Sequence, residues 1–189
     1  MQRILNYFCL CSLFYLFSCG GKDVDAPELR KPKVTDSAYN AEHITKIETG
    51  YTRPEDLVRF AYTQEGVPYK FGSKDPEQGF DCSGFITYVF NHFQIAVPRM
   101  SIDFTPVQHE VGLANAKPGD LILFTGTDST VRIVGHMGII TSFPGEDIKF
   151  IHSTSGKARG VVETPLNHYY EARYVKTIRV FPQNDASYP

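Results

Sequence analysis

Gly79-Phe80-Asp81-Cys82-Ser83-Gly84-Phe85-Ile86 places a lone cysteine where a turn-rich segment gives way to an amphipathic helix. From Cys82 onward the apolar residues fall at Phe85, Ile86, Val89, Phe90 and Phe93, the spacing of one helix face, and Cys82 lies on that stripe at its first turn. Asp81 suits the N-cap, so Cys82, Ser83 and Gly84 are expected as the first helical residues, whose backbone N–H groups lack an intrahelical acceptor. A thiol there faces the positive helix end, which is expected to lower its pKa and favour the thiolate. On the helix alone, Cys82 reads equally well as a small buried hydrophobe. The rest of the chain separates the two readings.

Residues 1–18 carry a single charge, Arg3, ahead of an apolar run of signal-peptide length that is too short to span a membrane. The run ends in Leu16-Phe17-Ser18-Cys19-Gly20, which resembles a lipobox, with Phe17 bulkier than usual. An acylated Cys19, a membrane-tethered form and a place in the bacterial cell envelope are the expectation; ordinary secretion is the alternative. Cys9 and Cys11 would leave with the signal, so Cys82 would be the one remaining thiol. An exported chain with one thiol has no internal disulfide framework, and chemistry explains its retention better than stapling does.

Composition fits a chain with one globular domain: 189 residues, 42% hydrophobic and 21% charged. Loss of Arg3 with the signal moves the formal net charge from −2 to −3. No basic cluster points to nucleic acid, no internal repeat is visible, and a monomer is expected. Residues 19–50 read as a flexible tether, 51–182 as the folded domain and 183–189 as a C-terminal tail. Pro54, with Leu57, Phe60 and Ala61, predicts a short helix stopped near Gly66. After Phe93 the stretch through Val97-Pro98-Arg99 to Ala116 reads as irregular or as short helical pieces.

Then the period changes. Pro118-Gly119-Asp120 is a turn, Leu121-Ile122-Leu123-Phe124 an apolar strand, and further strands are predicted near 136–142, 148–154, 160–164 and 173–181. Helices first and strands afterwards imply an α+β domain whose N-terminal helices pack on an antiparallel sheet. Two strands carry histidine. Alternation sets His136, Gly138 and Ile140 on one face and pairs Phe150 with His152. A hairpin centred on residue 144 would place the two imidazoles directly opposite, roughly 5 Å apart at Cβ; a one-residue slip would separate them. With a thiol at a helix start, two such histidines are the parts of a cysteine peptidase: nucleophile, base and orienting group. A zinc site from Cys82, His136 and His152 is the competing chemistry, though the spacing matches no familiar zinc pattern. His43, His92, His109 and His168 lack such a setting.

Tyr69, Asp81-Cys82-Ser83-Gly84-Phe85, Lys117-Pro118-Gly119-Asp120-Leu121, Gly135-His136-Met137-Gly138-Ile139 and Phe150-Ile151-His152-Ser153, in this order, resemble the NlpC-type family of bacterial cell-wall cysteine endopeptidases. The likeness covers about residues 51–182 and implies a papain-like fold. It further implies Cys82 as nucleophile, His136 as general base, His152 as the group orienting it, Tyr69 as a partner of the Cys82 N–H in holding the oxyanion, and Asp81 and Ser83 as substrate contacts. In the family such an aspartate recognises a free peptide amine. Helix capping is the plainer role for Asp81, and packing for Tyr69. Phe71-Gly72-Ser73 departs from the usual aromatic and two glycines, as do Met137 and Thr141 beside His136. The implied substrate is the peptidoglycan stem peptide, cut at the γ-D-glutamyl–diaminopimelate bond or at the D-alanyl–diaminopimelate cross-link, with neither cofactor nor metal. A CHAP-type amidase, which would normally follow with a carboxylate or amide in place of His152, and a non-catalytic wall-binding module are the other classes to weigh.

Overall fold

The structure, a computed structural model, describes residues 44–185, residue 108 excepted. The signal, the lipobox with Cys19, most of the tether, His43 and the last four residues lie outside the described residues. Helix α1 (Pro54–Tyr62) begins on its proline and ends before Gly66, which closes the following turn at φ +83°. Two short strands, β1 (Lys74–Asp75) and β2 (Gly79–Phe80), make a small hairpin that leads into α2 (Cys82–His92). The remaining strands are β3 (Glu110–Val111), β4 (Leu121–Thr125), β5 (Val134–Ile140), β6 (Lys149–Thr154), β7 (Gly160–Pro165) and β8 (Tyr174–Ile178), with one turn of helix, α3 (His168–Glu171), before the last. They form one antiparallel sheet in the order β3-β8-β4-β5-β6-β7. The expected α+β order is the observed one; β1, β2, β3 and α3 are too short to leave a periodic signal.

Both faces of the sheet are covered. Leu121, Leu123, Met137, Ile139 and Ile151 pack with Phe85, Ile86, Val89 and Phe90 of α2 and with Leu57 and Ala61 of α1. The alternate residues Ile122, Phe124, Ile140 and Phe150 form a second cluster with Tyr170 and Ala116. Full burial of each large aliphatic or aromatic side chain contributes about 1.5–3 kcal/mol. Helix α2 is less one-sided than its stripe implies, because Ser83, Gly84 and Thr87 are buried as well. Gly84 shows why: a Cβ there would stand 2.0 Å from the Ser73 carbonyl oxygen, so only glycine lets the helix start lie against the segment that leads into β1.

Both ends of the folded body reach past the predicted boundaries. Ile47 and Thr49, expected in the tether, are buried, and Ile47 joins the core. At the other end Asn184 donates to the Pro118 carbonyl (2.9 Å), and Asp185 pairs with Arg179 (3.0 Å). The Lys117–Leu121 motif belongs to this anchor. Asp120 is fully buried, accepts from the Lys117 N–H (2.9 Å) and binds Arg179 (3.1 Å), so its role is structural.

Candidate active site

Three bonds hold the nucleophile candidate at the start of α2. Phe80 N–H donates to the Pro68 carbonyl (2.9 Å), Asp81 N–H to the Ser73 carbonyl (3.0 Å), and the Ser153 hydroxyl to the Phe80 carbonyl (2.8 Å). Asp81 caps the helix as expected, accepting from Gly84 N–H at 2.5 Å. It also forms a two-pronged ion pair with Arg99, at 2.8 Å and 3.1 Å, and the same guanidinium donates to the Ser83 hydroxyl at 3.0 Å. Asp81 and Ser83 are therefore buried and already partnered. Arg99, which carries this arrangement, lies in the stretch read as irregular; its one signal was a cation directly after an apolar Val-Pro pair.

Cys82 sits half-buried with Sγ 3.9 Å from the Gly135 carbonyl oxygen, to which the thiol donates. Burial pushes this thiol up to about 11, and the neighbouring Asp81 charge adds to the rise; the helix-start N–H groups of Ser83 and Cys82 and the Arg99 charge pull the other way without overcoming it. The expected depression is thus reversed, because desolvation outweighs the helix end. The resting group is a thiol.

His136 Nε2 and His152 Nδ1 are 2.8 Å apart, and His152 Nε2 is 2.9 Å from the Thr164 hydroxyl. The two histidines meet, though not by the predicted register. Ile139 pairs with Ile151 and Ile140 with Phe150, so the hairpin is centred two half-steps further on, at residue 145, and the imidazoles approach diagonally. A shift of two residues preserves the face. Gly138 makes the diagonal possible: a Cβ there would stand 2.7 Å from the Phe150 ring and 3.2 Å from His152 Cβ. Gly138→Ala is expected to destabilise the domain by about 1–3 kcal/mol through overpacking and to slow turnover by displacing His152. Urea unfolding and a rate measurement check it, and an unchanged pair of values would contradict this role.

Where the Thr164 hydroxyl accepts, His152 carries its proton on Nε2 and accepts at Nδ1 from His136 Nε2–H. That leaves Nδ1 of His136 as a lone pair, the state of a base. Thr164 had no signal in the sequence, since it faces His152 only through the β6–β7 register His152↔Val162 and its neighbours.

Both imidazoles stay neutral. Burial, then the His152 and Arg173 charges, hold His136 well below the usual histidine value, and burial followed by Arg173 lowers His152 from 6.5 to about 3. Such a shift makes stability depend on pH. The unfolded chain takes up a proton below 6.5 while folded His152 does not, so its contribution is complete above pH 6.5 and is lost as pH falls toward 3. The loss approaches roughly 5 kcal/mol over the full range. Urea unfolding from pH 7 to pH 4 should show a steeper decline in wild type than in His152→Gln; parallel curves would contradict it.

Cys82 and His136 open on a groove of about 860 Å³, walled by Tyr69, Val162, Thr164, Tyr170 and Arg173. Tyr170 stacks over His136 with centroids 6.1 Å apart and meets His152 edge-on at 5.5 Å. Tyr69 is half-buried, and burial with the charges of Cys82 and Asp81 raises its pKa, so its hydroxyl remains a donor. Phe71 is 88% exposed. Met137 is buried, and Thr141 donates to Glu163 (2.7 Å). His92 stacks on Phe60 at 3.6 Å, His168 bonds Glu171 at 2.8 Å and His109 lies 3.8 Å from Asp185, all three away from the groove. Among the described residues no three His, Cys, Asp or Glu side chains gather as metal ligands.

A helix-start thiol and paired histidines on neighbouring strands of an antiparallel sheet, with Cys82 and His136 lining one groove, fit a papain-like α+β fold, and the comparisons agree. The sequence profile of the NlpC/P60 family matches residues 66–179. The chain belongs to the NlpC/P60 family. It is 32% identical over 133 residues to a gamma-DL-glutamyl hydrolase of Bacillus subtilis, covering 68% of this chain and 30% of the relative. It is 31% identical over 122 residues to the murein DD-endopeptidase MepS/murein LD-carboxypeptidase of Escherichia coli, covering 64% and 59%. A crystal structure of an NlpC/P60 family protein from Bacillus cereus superposes with a TM-score of 0.61 at 28% identity, over 71% of this chain and 42% of that one. The chain thus spans less than two thirds of the length of each of these.

Proposed function

We propose that this protein is a peptidoglycan stem-peptide endopeptidase working through Cys82, His136 and His152. The observation that carries the reading is the relay His136–His152–Thr164 on the groove that also exposes Cys82; with Thr164 as acceptor, it leaves Nδ1 of His136 unprotonated. In the first step Cys82 Sγ bonds to the substrate carbonyl carbon while its proton passes to His136 Nδ1. The oxyanion is held by the Cys82 backbone N–H and the Tyr69 hydroxyl, a type of donor whose loss typically costs about 3 kcal/mol. His136 then protonates the departing nitrogen, the C–N bond breaks, and water, deprotonated by His136, releases the acyl group from the sulfur. His152 accepts the Nε2–H of His136 without adding a negative charge beside it.

We place the cut at the γ-D-glutamyl–diaminopimelate bond. Two relatives whose names specify a DL bond, the gamma-DL-glutamyl hydrolase and the muramidase/DL-endopeptidase CwlT of Bacillus subtilis, support this choice. Free-amine recognition by Asp81 does not, since Arg99 already neutralises that carboxylate. Stems still attached to sugar should therefore be cut at the same bond as free ones. The test is a free tetrapeptide beside a cross-linked, sugar-attached dimer. Cleavage of both at the γ-D-glutamyl bond is expected, and cleavage confined to the D-alanyl bond of the dimer would reject the choice.

Anchoring through Cys19 is part of the proposal, supported by the lipobox-like Leu16-Phe17-Ser18-Cys19. The mature chain should begin at acylated Cys19 and fractionate with membranes of the cell envelope, and Cys19→Ala should release or mislocalise it with domain activity unchanged. Intact-mass analysis that found an unacylated N-terminus downstream of Cys19 would reject it.

A further inference from the structure

Arg173 is only 5% exposed, yet no carboxylate among the described residues pairs with it. A buried ionised group without a counter-charge is costly. Its compensation is partial: Nε donates to the Gly126 carbonyl (2.7 Å), Nη2 to the Thr125 carbonyl (2.8 Å), and the guanidinium lies 4.7 Å and 5.5 Å from the ring centroids of Tyr169 and Tyr170. Nη1 makes no hydrogen bond to a described residue. The same chain shows the ordinary solution elsewhere, where the similarly buried Arg179 is matched by Asp120 and Asp185. Arg173 differs also in location, because it walls the groove that holds Cys82 and His136.

The groove's other charged lining residue is Lys157, exposed and unpaired among the described residues; no carboxylate lines it. The wall beside the histidines is thus a net positive surface with unspent donors. That is the arrangement a planar anion requires, since the guanidinium fork matches a carboxylate.

We propose that Arg173 and Lys157 form a carboxylate subsite, which holds an anionic group of the substrate while Cys82 attacks a neighbouring amide. This deepens the peptidase reading and rests on it. A D-glutamyl residue linked through its γ-carbonyl keeps its α-carboxylate, and diaminopimelate keeps a carboxylate of its own, so the stem offers two sources of the same chemistry. Amidation of the correct one should abolish recognition.

The test uses the full chain carrying Cys82→Ala, which binds without turning over. Titration calorimetry compares L-alanyl-γ-D-glutamyl-diaminopimelate with two analogues, one amidated at the D-glutamyl carboxylate and one at both diaminopimelate carboxylates. One analogue should bind roughly 10- to 100-fold more weakly than the parent peptide, the range for a hydrogen bond to a charged group, and its identity names the source. That ratio should fall toward one in Arg173→Gln and by several-fold in Lys157→Ala, whose exposed position spares the fold. A purely structural Arg173 would leave the ratio intact. Equal binding of all three peptides, no binding of any, or a ratio that survives both substitutions would overturn the subsite. Wild-type turnover separates the two claims. Equal hydrolysis of all three peptides removes the subsite and leaves the peptidase, whereas selective binding without hydrolysis removes the peptidase and leaves the subsite.

Discussion

Cys82→Ala should lose hydrolysis of peptidoglycan by about four to six orders of magnitude, the loss seen when a covalent nucleophile is removed from a unit that acts together. The fold should survive. Cys82 is only half-buried at the first turn of α2, and its Sγ makes one long contact, to the Gly135 carbonyl. Removing one sulfur there should cost about 1 kcal/mol, and the Asp81 cap, the Ser73 contacts and the core stripe remain. Rates are read by release of soluble fragments, and the fold by urea unfolding. A Cys82→Ala protein that unfolds like wild type and still cuts at a comparable rate would show that the nucleophile has been misassigned.

The second large effect separates the two histidines. His136→Ala should lower the rate by roughly 10³- to 10⁴-fold, the upper range for a general acid–base group, because Cys82 rests as a thiol and His136 is the imidazole that shares its groove. His152→Ala should be about 10- to 100-fold less severe than His136→Ala, since losing the orienting member of such a unit is milder than losing the base. Its loss leaves the Nε2–H of His136 without an acceptor, frees the ring to take the other tautomer and opens a cavity beside Phe150 and Tyr170. His152→Gln, able to accept the same hydrogen bond, should recover part of the rate. The order of severity is the check in single-turnover measurements; a His152→Ala enzyme slower than His136→Ala would reverse the roles.

The parts of the site that were legible in the sequence are those set by local pattern. The Asp81 cap, the stripe from Cys82 to Phe90, and the alternation that puts His136 and His152 on one face are short-range features, and each is present. The strands from β4 to β8 followed from apolar runs between turns. What the pattern could not carry depends on pairs distant in sequence. The β5–β6 register is offset by two residues from the expected one, and it packs Gly138 against Phe150 and His152 where a Cβ would clash. Arg99 reaches Asp81 across 18 residues, Thr164 reaches His152 across 12, and Arg173 joins the site from the start of β8. The direction of the Cys82 shift was misread for a similar reason. The helix end is local and visible, whereas the burial that outweighs it comes from the sheet packed against it. Ile47 and Thr49 were assigned to the tether because isolated apolar residues in a polar stretch show no period, although the core covers both.

The most direct measurement is the mass of the fragments that wild-type protein and Cys82→Ala release from purified peptidoglycan. Wild type should yield a new amine on diaminopimelate and a new γ-carboxyl on D-glutamate, and Cys82→Ala neither. Intact stems freed from sugar would mark an amidase, unaltered peptidoglycan a binding module, and fragments released equally by the Cys82→Ala protein would contradict the mechanism itself.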